Sequence, residues 1–260
     1  MELPAALYEP VDGGFRATDL TIGPWDPGLQ HAGPPAALLA RAAEGASAIP
    51  GGQTVRLAFD ILGPVPVGPV QVATRVLRPG QRIELLEATL TAGSDRPLMR
   101  LTAWRVRSGT YDGSAATAAL VPGPAASRSE VPEFFTTDVA YHRALDWRFA
   151  SGSFNAPGPA AAWTRPACTL VDGEPMTPLQ HLLVMTDAAS GISAVLDWTR
   201  ATFANVDLTV ALVRPPAGEW LGMDAVTTLG PAGAGQCFAD LYDATGRIGR
   251  SAQSLFVEPR

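Results

Sequence analysis

The chain has 260 residues, of which 47% are hydrophobic and 17% charged, so one large or two small domains with a substantial core are expected. Its net charge of −6 argues against nucleic-acid binding, which needs a cationic surface. We expect a cytoplasmic protein without a membrane span, because no apolar run reaches about 18 residues and the first ten residues do not resemble a secretory signal.

The first half predicts one helix followed by four strands. The helix, residues 34–45, follows a loop rich in Gly and Pro and carries Pro34 and Pro35 in its first turn, where their missing N–H groups cost nothing. It is apolar on nearly every side, as buried helices are. The predicted strands are residues 55–62, 70–78, 83–92 and 98–107. Short turns between them predict an antiparallel sheet curled over the helix.

The second half repeats this order. Residues 108–139 are rich in Gly, Ser, Ala and Pro and predict a surface linker, with Phe134 and Phe135 as possible anchors. An opening strand is predicted within residues 141–154, and a helix capped by Thr177 over residues 178–191. The later predicted strands are residues 206–212, 220–229, 236–242 and 248–257.

A repeat of this length predicts one small fold made twice and fused. We predict an N-terminal repeat over residues 1–107, a linker over residues 108–139 and a C-terminal repeat over residues 140–260. The predicted fold class is α+β, with a central helix wrapped by an antiparallel sheet in each repeat. Open sheet edges need covering, so a homodimer is a further expectation.

The two copies differ at three polar positions, which indicate where the chemistry lies. An offset of about 150 residues aligns a polar residue of the second copy with a small or less polar residue of the first in each case. The aligned pairs are Asp187 with Ala36 or Ala37, Asn205 with Thr54, and Gln253 with Ala103.

Asp187 shares a helix stripe with Leu179 and Leu183, where an unpaired carboxylate costs several kcal/mol. It is either a helix-end residue turned to solvent or a general base that takes a proton from water. Gln253 is either an ordinary strand residue or an amide that orients water or a carbonyl oxygen. Asn205 is either a turn residue or a further water ligand. The three together predict a hydrolytic site.

The sequence offers few cofactor ligands. Cys168 and Cys237 are too far apart to suggest a disulfide framework, and the cysteines and three histidines have no spacing typical of zinc sites. A dinucleotide-binding glycine motif and the Gly-x-Ser-x-Gly motif are absent from the sequence. We therefore expect no metal and no cofactor. Apart from histidine every basic residue is arginine, which is typical of a GC-rich bacterial genome.

Over about residues 10–107 and 140–258 the chain resembles the TesB-like acyl-CoA thioesterases, which have a double-hotdog fold. The order and spacing of five short segments carry this resemblance. They are residues 31–38 (HAGPPAAL), 186–188 (TDA), 205–209 (NVDLT), 214–215 (RP) and 251–254 (SAQS).

The resemblance implies hydrolysis of an acyl-CoA to free acid and thiol by activated water, without an acyl-enzyme. That family uses an Asp on the second helix, a Thr or Ser at the start of the next strand and a Gln in the last strand. The matching residues here are Asp187, Asn205 and Gln253, and Asn205 departs from the family pattern. The implied role of Asp187 is general base, while the two amides position the water.

His31, Ala32 and Gly33 are the candidate substrate-binding residues, with the backbone N–H groups of Ala32 and Gly33 as donors to the oxyanion. Two other functions stay open. One is hydration of an enoyl thioester, for which Asp26 and His31 would be the acid–base pair. The other is non-catalytic binding of an acyl ligand by a degenerate thioesterase.

Overall fold

The computed structural model describes residues 3–110, 113, 118–120, 122–135, 137–196 and 201–259. Part of the predicted linker, residues 111–112, 114–117, 121 and 136, therefore lies outside the described residues. None of the helices within the described ranges is long and apolar enough to cross a membrane.

Helices and strands follow the predicted order closely. In chain order they are β1 (Ala6–Val11), β2 (Gly14–Ala17), α1 (Gly33–Gly45), β3 (Gln53–Ile61), β4 (Pro69–Arg78), β5 (Ile83–Thr91), β6 (Met99–Val106), β7 (Arg128–Ser129), β8 (Leu145–Ser151), β9 (Ala160–Pro166), β10 (Thr169–Val171), α2 (Pro178–Thr186), α3 (Ala189–Ile192), β11 (Ala201–Asn205), β12 (Asp207–Leu212), β13 (Leu221–Leu229), β14 (Ala234–Asp243) and β15 (Gly246–Pro259). Three short 3-10 turns cover Asp19–Thr21, Pro124–Ala126 and Tyr141–Arg143.

The predicted strands do not include β1, β2, β7, β9, β10 and β11, most of which are short or lie next to loops. The predicted strand over residues 141–154 is a 3-10 turn followed by β8. The eight other predicted strands are each confirmed to within a few residues at their ends.

The strand order shows how the two copies join. The sheet runs β10-β1-β2-β4-β5-β6-β3-β12-β15-β14-β13-β9-β8-β7, with β11 paired to β15. The order β4-β5-β6-β3 on one side of the centre is mirrored by β13-β14-β15-β12 on the other. At the centre β3 and β12 are antiparallel, with Ala58 opposite Thr209. The predicted double hotdog is confirmed, while the repeat boundaries stay a prediction.

The helices pack against this sheet and against each other. Leu38 and Leu39 of α1 and Leu182 of α2 are fully buried there. Gly33 lies at the contact between the helices, because a Cβ at this position would lie 2.5 Å from the Val184 carbonyl oxygen. The absence of a side chain therefore brings the start of α1 against the end of α2.

The predicted second helix is interrupted after Thr186. Its start is as predicted, with a capping box between Thr177 and Gln180. At the interruption the Gln253 side chain replaces helical hydrogen bonds: its Nε2 donates to the Asp187 carbonyl at 3.0 Å, and its Oε1 accepts the Ser190 N–H at 3.1 Å. A buried amide thus separates α2 from α3.

The alignment of Asp187 with Ala36 or Ala37 was wrong. Asp187 is the tenth residue counted from the start of α2, and the tenth residue of α1 is Ala42. A single offset fails because the connections between helix and strand differ in length in the two copies.

The other two aligned pairs agree with the strand register. Thr54 lies opposite Arg105, and Asn205 lies opposite Leu255. Ala103 and Gln253 each lie two residues before these partners. The corresponding positions of the strands are therefore as the sequence predicted.

Candidate active site

Asp187 lies at the end of α2 and lines a cavity, although only 4% of its side chain is exposed. Its Oδ1 accepts a hydrogen bond from Asn205 Nδ2 at 2.9 Å. Its Oδ2 lies 2.9 Å from His31 Nδ1. The interpretation of Asp187 as a solvent-facing helix end was therefore wrong.

His31 reaches Asp187 from the loop before α1, so the pair joins the two repeats. Its Nδ1 also lies 3.3 Å from the Gly33 N–H. The Gly33 N–H can donate only to an unprotonated Nδ1, whereas a hydrogen bond to the Asp187 carboxylate needs a proton on Nδ1, and the shorter contact with the carboxylate is the stronger. We therefore assign the Nδ1–H to Asp187. The hydratase alternative paired His31 with Asp26, but the carboxylate of Asp26 accepts the Gly28 N–H at 2.7 Å within its own loop.

Tyr141 supports the His31 ring and was missed by the sequence. The two rings are parallel, with centroids 3.7 Å apart. The Tyr141 hydroxyl donates to the Val184 carbonyl at 2.6 Å. Burial, with a further contribution from the negative charge of Asp187, raises the pKa of Tyr141 well above its usual value. Tyr141 is therefore a neutral platform that fixes His31.

Asn205 links Asp187 to a serine that sequence reasoning also missed. Its Nδ2 donates to Asp187, and its Oδ1 accepts from Ser190 Oγ at 3.0 Å. Ser190 follows Asp187 by three residues, and this helical spacing was the signal that could have identified it. The chain therefore carries a hydroxyl on α3, next to the strand position where the resembled family carries one.

Gln253 lies behind the cavity rather than on it. Its amide is directed at the backbone of the turn between α2 and α3, and the residue is 2% exposed. Of the predicted catalytic residues, Asp187 and Asn205 line the cavity; of the predicted substrate-binding residues, His31 and Ala32 do. Gly33 lies at the helix contact and outside the described lining of the cavity.

The cavity has a volume of about 490 Å³ and receives residues from both repeats. Apart from the polar group around Asp187, its wall is mainly apolar and suits a hydrocarbon chain. Aromatic residues contribute much of it, among them Trp25, Phe134, Phe135, Phe154, Phe203 and Phe256. Phe134 and Phe135 belong to the predicted linker, so this segment forms part of the cavity wall and is more than a surface connection.

Metal chemistry has no evident ligand set here. Within the described residues, no three His, Cys, Asp or Glu side chains are grouped as metal ligands would be. The chemistry of the cavity therefore has to be argued from the carboxylate, the imidazole, the amide and the hydroxyl.

Two family models match the chain. The acyl-CoA thioesterase N-terminal domain matches residues 21–106, and the acyl-CoA thioesterase C-terminal domain matches residues 117–257. The chain belongs to the acyl-CoA thioesterase family. A comparison with curated protein sequences finds no significant match.

Solved structures share the fold of this acyl-CoA thioesterase family member. A protein assigned as a thioesterase II from Thermobifida fusca is 19% identical, with 98% of this chain and 96% of that chain covered and a TM-score of 0.76. A protein assigned as a thioesterase from Novosphingobium aromaticivorans is 22% identical, with coverages of 98% and 99% and a TM-score of 0.72.

A dehydratase domain from the CurJ module of the curacin polyketide synthase is also similar. It is 11% identical, with 89% of this chain and 83% of that chain covered and a TM-score of 0.55. The double-hotdog architecture thus occurs in proteins assigned to different chemistry, so the function has to be argued from the site.

Proposed function

We propose that the protein hydrolyses acyl-CoA thioesters to a free acid and CoA. The observation that carries this proposal is the Asp187 carboxylate, which is buried, lines an apolar cavity and is fixed by Asn205 and His31 at 2.9 Å each. Membership of the acyl-CoA thioesterase family supports a thioester as the substrate.

The proposed reaction is a single displacement by water. Asp187 accepts a proton from a water molecule, and the water oxygen forms a bond to the thioester carbonyl carbon. The tetrahedral intermediate then collapses with cleavage of the C–S bond. The proton returns from Asp187 to the departing sulfur, so the products are the acid and the free thiol, and no acyl-enzyme forms.

The neighbours of Asp187 orient the reactants. Asn205 and His31 fix the two carboxylate oxygens, and the Ser190 hydroxyl accepts a hydrogen bond from the attacking water. Ser190 thereby supplies a hydroxyl that Asn205 does not have. The backbone N–H of Ala32, at the start of α1, donates to the oxyanion as the negative charge develops.

Hydration of an enoyl thioester is the second candidate, because the 2.9 Å contact between His31 and Asp187 provides an acid and a base side by side. In that reaction water would add across the carbon–carbon double bond and the thioester would remain intact. The two functions therefore differ in whether a thiol is released.

A panel of acyl-CoA substrates from acetyl to palmitoyl, together with crotonyl-CoA, tests the proposal. Thiol release is followed with a thiol reagent, and hydration is followed by loss of enoyl absorbance. We expect thiol release from saturated substrates. Hydration of crotonyl-CoA without thiol release would identify a hydratase, and binding of fatty acids without either reaction would identify an acyl-ligand binding protein.

A further inference from the structure

A second cavity, of about 250 Å³, lies next to the cavity that Asp187 lines. Phe134 and Phe154 line both cavities. Their ring centroids are 6.1 Å apart and the rings are inclined at 72°. This edge-to-face pair is therefore the wall between the two spaces.

The Phe154 half of the wall is fixed in the core. Its ring centroid lies 5.0 Å from that of Trp147 and 4.9 Å from that of Phe149, both in edge-to-face geometry. Phe154 is also buried, whereas Phe134 is half-buried. Phe134 is therefore the half of the wall that can be shortened without opening the core.

The segment that carries Phe134 is fastened to the loop after β8. The Glu130 carboxylate accepts hydrogen bonds from Ser153 Oγ at 2.5 Å and from the Phe154 N–H at 2.8 Å. Asn155 Oδ1 accepts the Glu133 N–H at 3.0 Å. These contacts fix the backbone on both sides of the Phe134–Phe154 pair, so the wall formed by the two rings has a defined position.

We propose that Phe134 sets the upper length of the acyl chain, and that the second cavity is an extension of the acyl site which the wall closes. This inference rests on the proposed function. The preferred substrates are thioesters whose acyl chain ends at the Phe134–Phe154 pair. Longer chains meet the two rings and would leave their terminal methylenes in water.

Phe134→Ala tests the inference with a panel of saturated acyl-CoA substrates. Each methylene that enters the second cavity adds about fourfold to kcat/KM, so the preferred chain becomes longer. Substrates shorter than the wild-type optimum change by less than about twofold. Phe256→Ala is the matched control, because Phe256 lines the first described cavity and not the second, and its loss should not lengthen the preferred chain.

Ala156→Phe, added to Phe134→Ala, provides the reverse test. Ala156 is exposed and lines the second cavity, so a larger side chain there fills the space from its rim. We expect the double variant to return to shorter chains. An unchanged length preference in Phe134→Ala, with an unfolding temperature close to that of the wild type, would overturn the inference.

The affinities of free saturated fatty acids of the same lengths, measured by calorimetry, separate this inference from the proposed function. If no thioester is hydrolysed but Phe134→Ala still binds longer acids more tightly, the hydrolase proposal fails and the role of Phe134 stands. If the wild type hydrolyses thioesters and the length preference is the same in both proteins, only the role of Phe134 fails.

Discussion

The two repeats differ in the polar side chains found where the helix approaches the next strand, a place called here the junction of each repeat. At the N-terminal junction the polar residues are Glu44, Ser47, Thr54, Glu84 and Arg105. At the C-terminal junction they are His31, Asp187, Ser190, Asn205 and Gln253. Each set surrounds the place where the end of a helix approaches the strand that follows it, so the two places can be compared.

The N-terminal junction is a closed ion-pair network. Arg105 donates to Glu44 Oε1 and to Thr54 Oγ1, each at 2.9 Å. The fully buried Glu84 accepts from the Ser47 hydroxyl and lies 3.9 Å from the Arg105 guanidinium. Both carboxylates are held by protein donors, and neither lines the described cavities, so we assign this network to the stability of the fold.

At the C-terminal junction Leu255 takes the place of Arg105, since it lies opposite Asn205 as Arg105 lies opposite Thr54. Asp187 is consequently fixed by an amide and an imidazole, and it faces a cavity. The two junctions therefore differ in what holds the carboxylate, a guanidinium in one and an amide with an imidazole in the other, and only the second carboxylate faces a cavity.

The largest expected effect comes from removing the carboxylate that faces the cavity. Asp187→Asn keeps the shape but cannot accept the proton of the attacking water, so we expect kcat for acyl-CoA hydrolysis to fall about a thousandfold. Glu44→Gln is the matched control at the other junction and should keep kcat within about twofold. Equal losses in both variants would contradict the assignment of chemistry to one junction.

Arg105→Ala removes the cation of the N-terminal junction and should lower the stability of the protein. Loss of the guanidinium leaves Glu84 buried without its charge partner, so the free energy of unfolding should fall by about 3 kcal/mol. Urea denaturation measures this, with the exposed Arg56→Ala as the control. The fraction that stays folded should retain its kcat, and a large loss of kcat would show that the two junctions are coupled.

Gln253→Ala makes the C-terminal repeat resemble the N-terminal one, where Ala103 occupies this position. The Asp187 carbonyl and the Ser190 N–H lose their partner, which should lower the free energy of unfolding by about 2 kcal/mol. Because Gln253 acts through the Asp187 backbone, kcat should fall while KM changes little. The exposed Gln236→Ala should alter neither quantity, and normal kcat in Gln253→Ala would exclude a positioning role.

His181, on the helix that ends at Asp187, provides a test of how stability depends on pH. Its Nε2 lies 2.8 Å from Thr164 Oγ1, and burial lowers its pKa to about 3. The folded protein therefore keeps His181 neutral, while the unfolded chain protonates it below about pH 6.5. The contribution of His181 to the free energy of unfolding is therefore fully present above that pH. On acidification towards pH 3 this contribution falls by about 1.4 kcal/mol per pH unit.

His181→Gln should remove this part of the acid sensitivity, which thermal unfolding measured between pH 4 and 8 would detect. The predicted α1 segment, residues 34–45, contains no histidine, so the sensitivity belongs to the C-terminal helix. An identical pH profile in wild type and variant would show that other groups cause the acid response.

The sequence predicted what depends on local pattern and on repetition. Apolar helices, alternating strands and their repeated order were sufficient to predict two α+β units, each with a sheet curled over a helix, and the family resemblance supplied the double hotdog. A carboxylate on an apolar helix stripe indicated Asp187, although its alignment with the first copy was wrong. The contact between His31 and Asp187 could not be read in this way, since it joins residues of different repeats. The helix break was hidden because Gln253, which stabilises it, lies in a strand far along the chain.

Ser190 shows a second reason why a site residue could not be predicted from the sequence. It lies one helical turn from Asp187, but a serine near a helix end is common, and only its hydrogen bond to Asn205 distinguishes it. Phe134 and Phe135 were placed in a linker because Gly, Ser, Ala and Pro dominate the surrounding composition. Composition describes a segment as a whole and does not reveal the two rings that enter the cavity.

The short strand β10 belongs to the second half of the sequence, yet it pairs in parallel with β1 at the far edge of the first half. Glu174, just after β10, forms a two-pronged ion pair with Arg41 of α1. Each half therefore completes the other, and neither can be exchanged for a foreign copy as an interchangeable module. A mutation that reshapes one half must therefore preserve its fit to the other half.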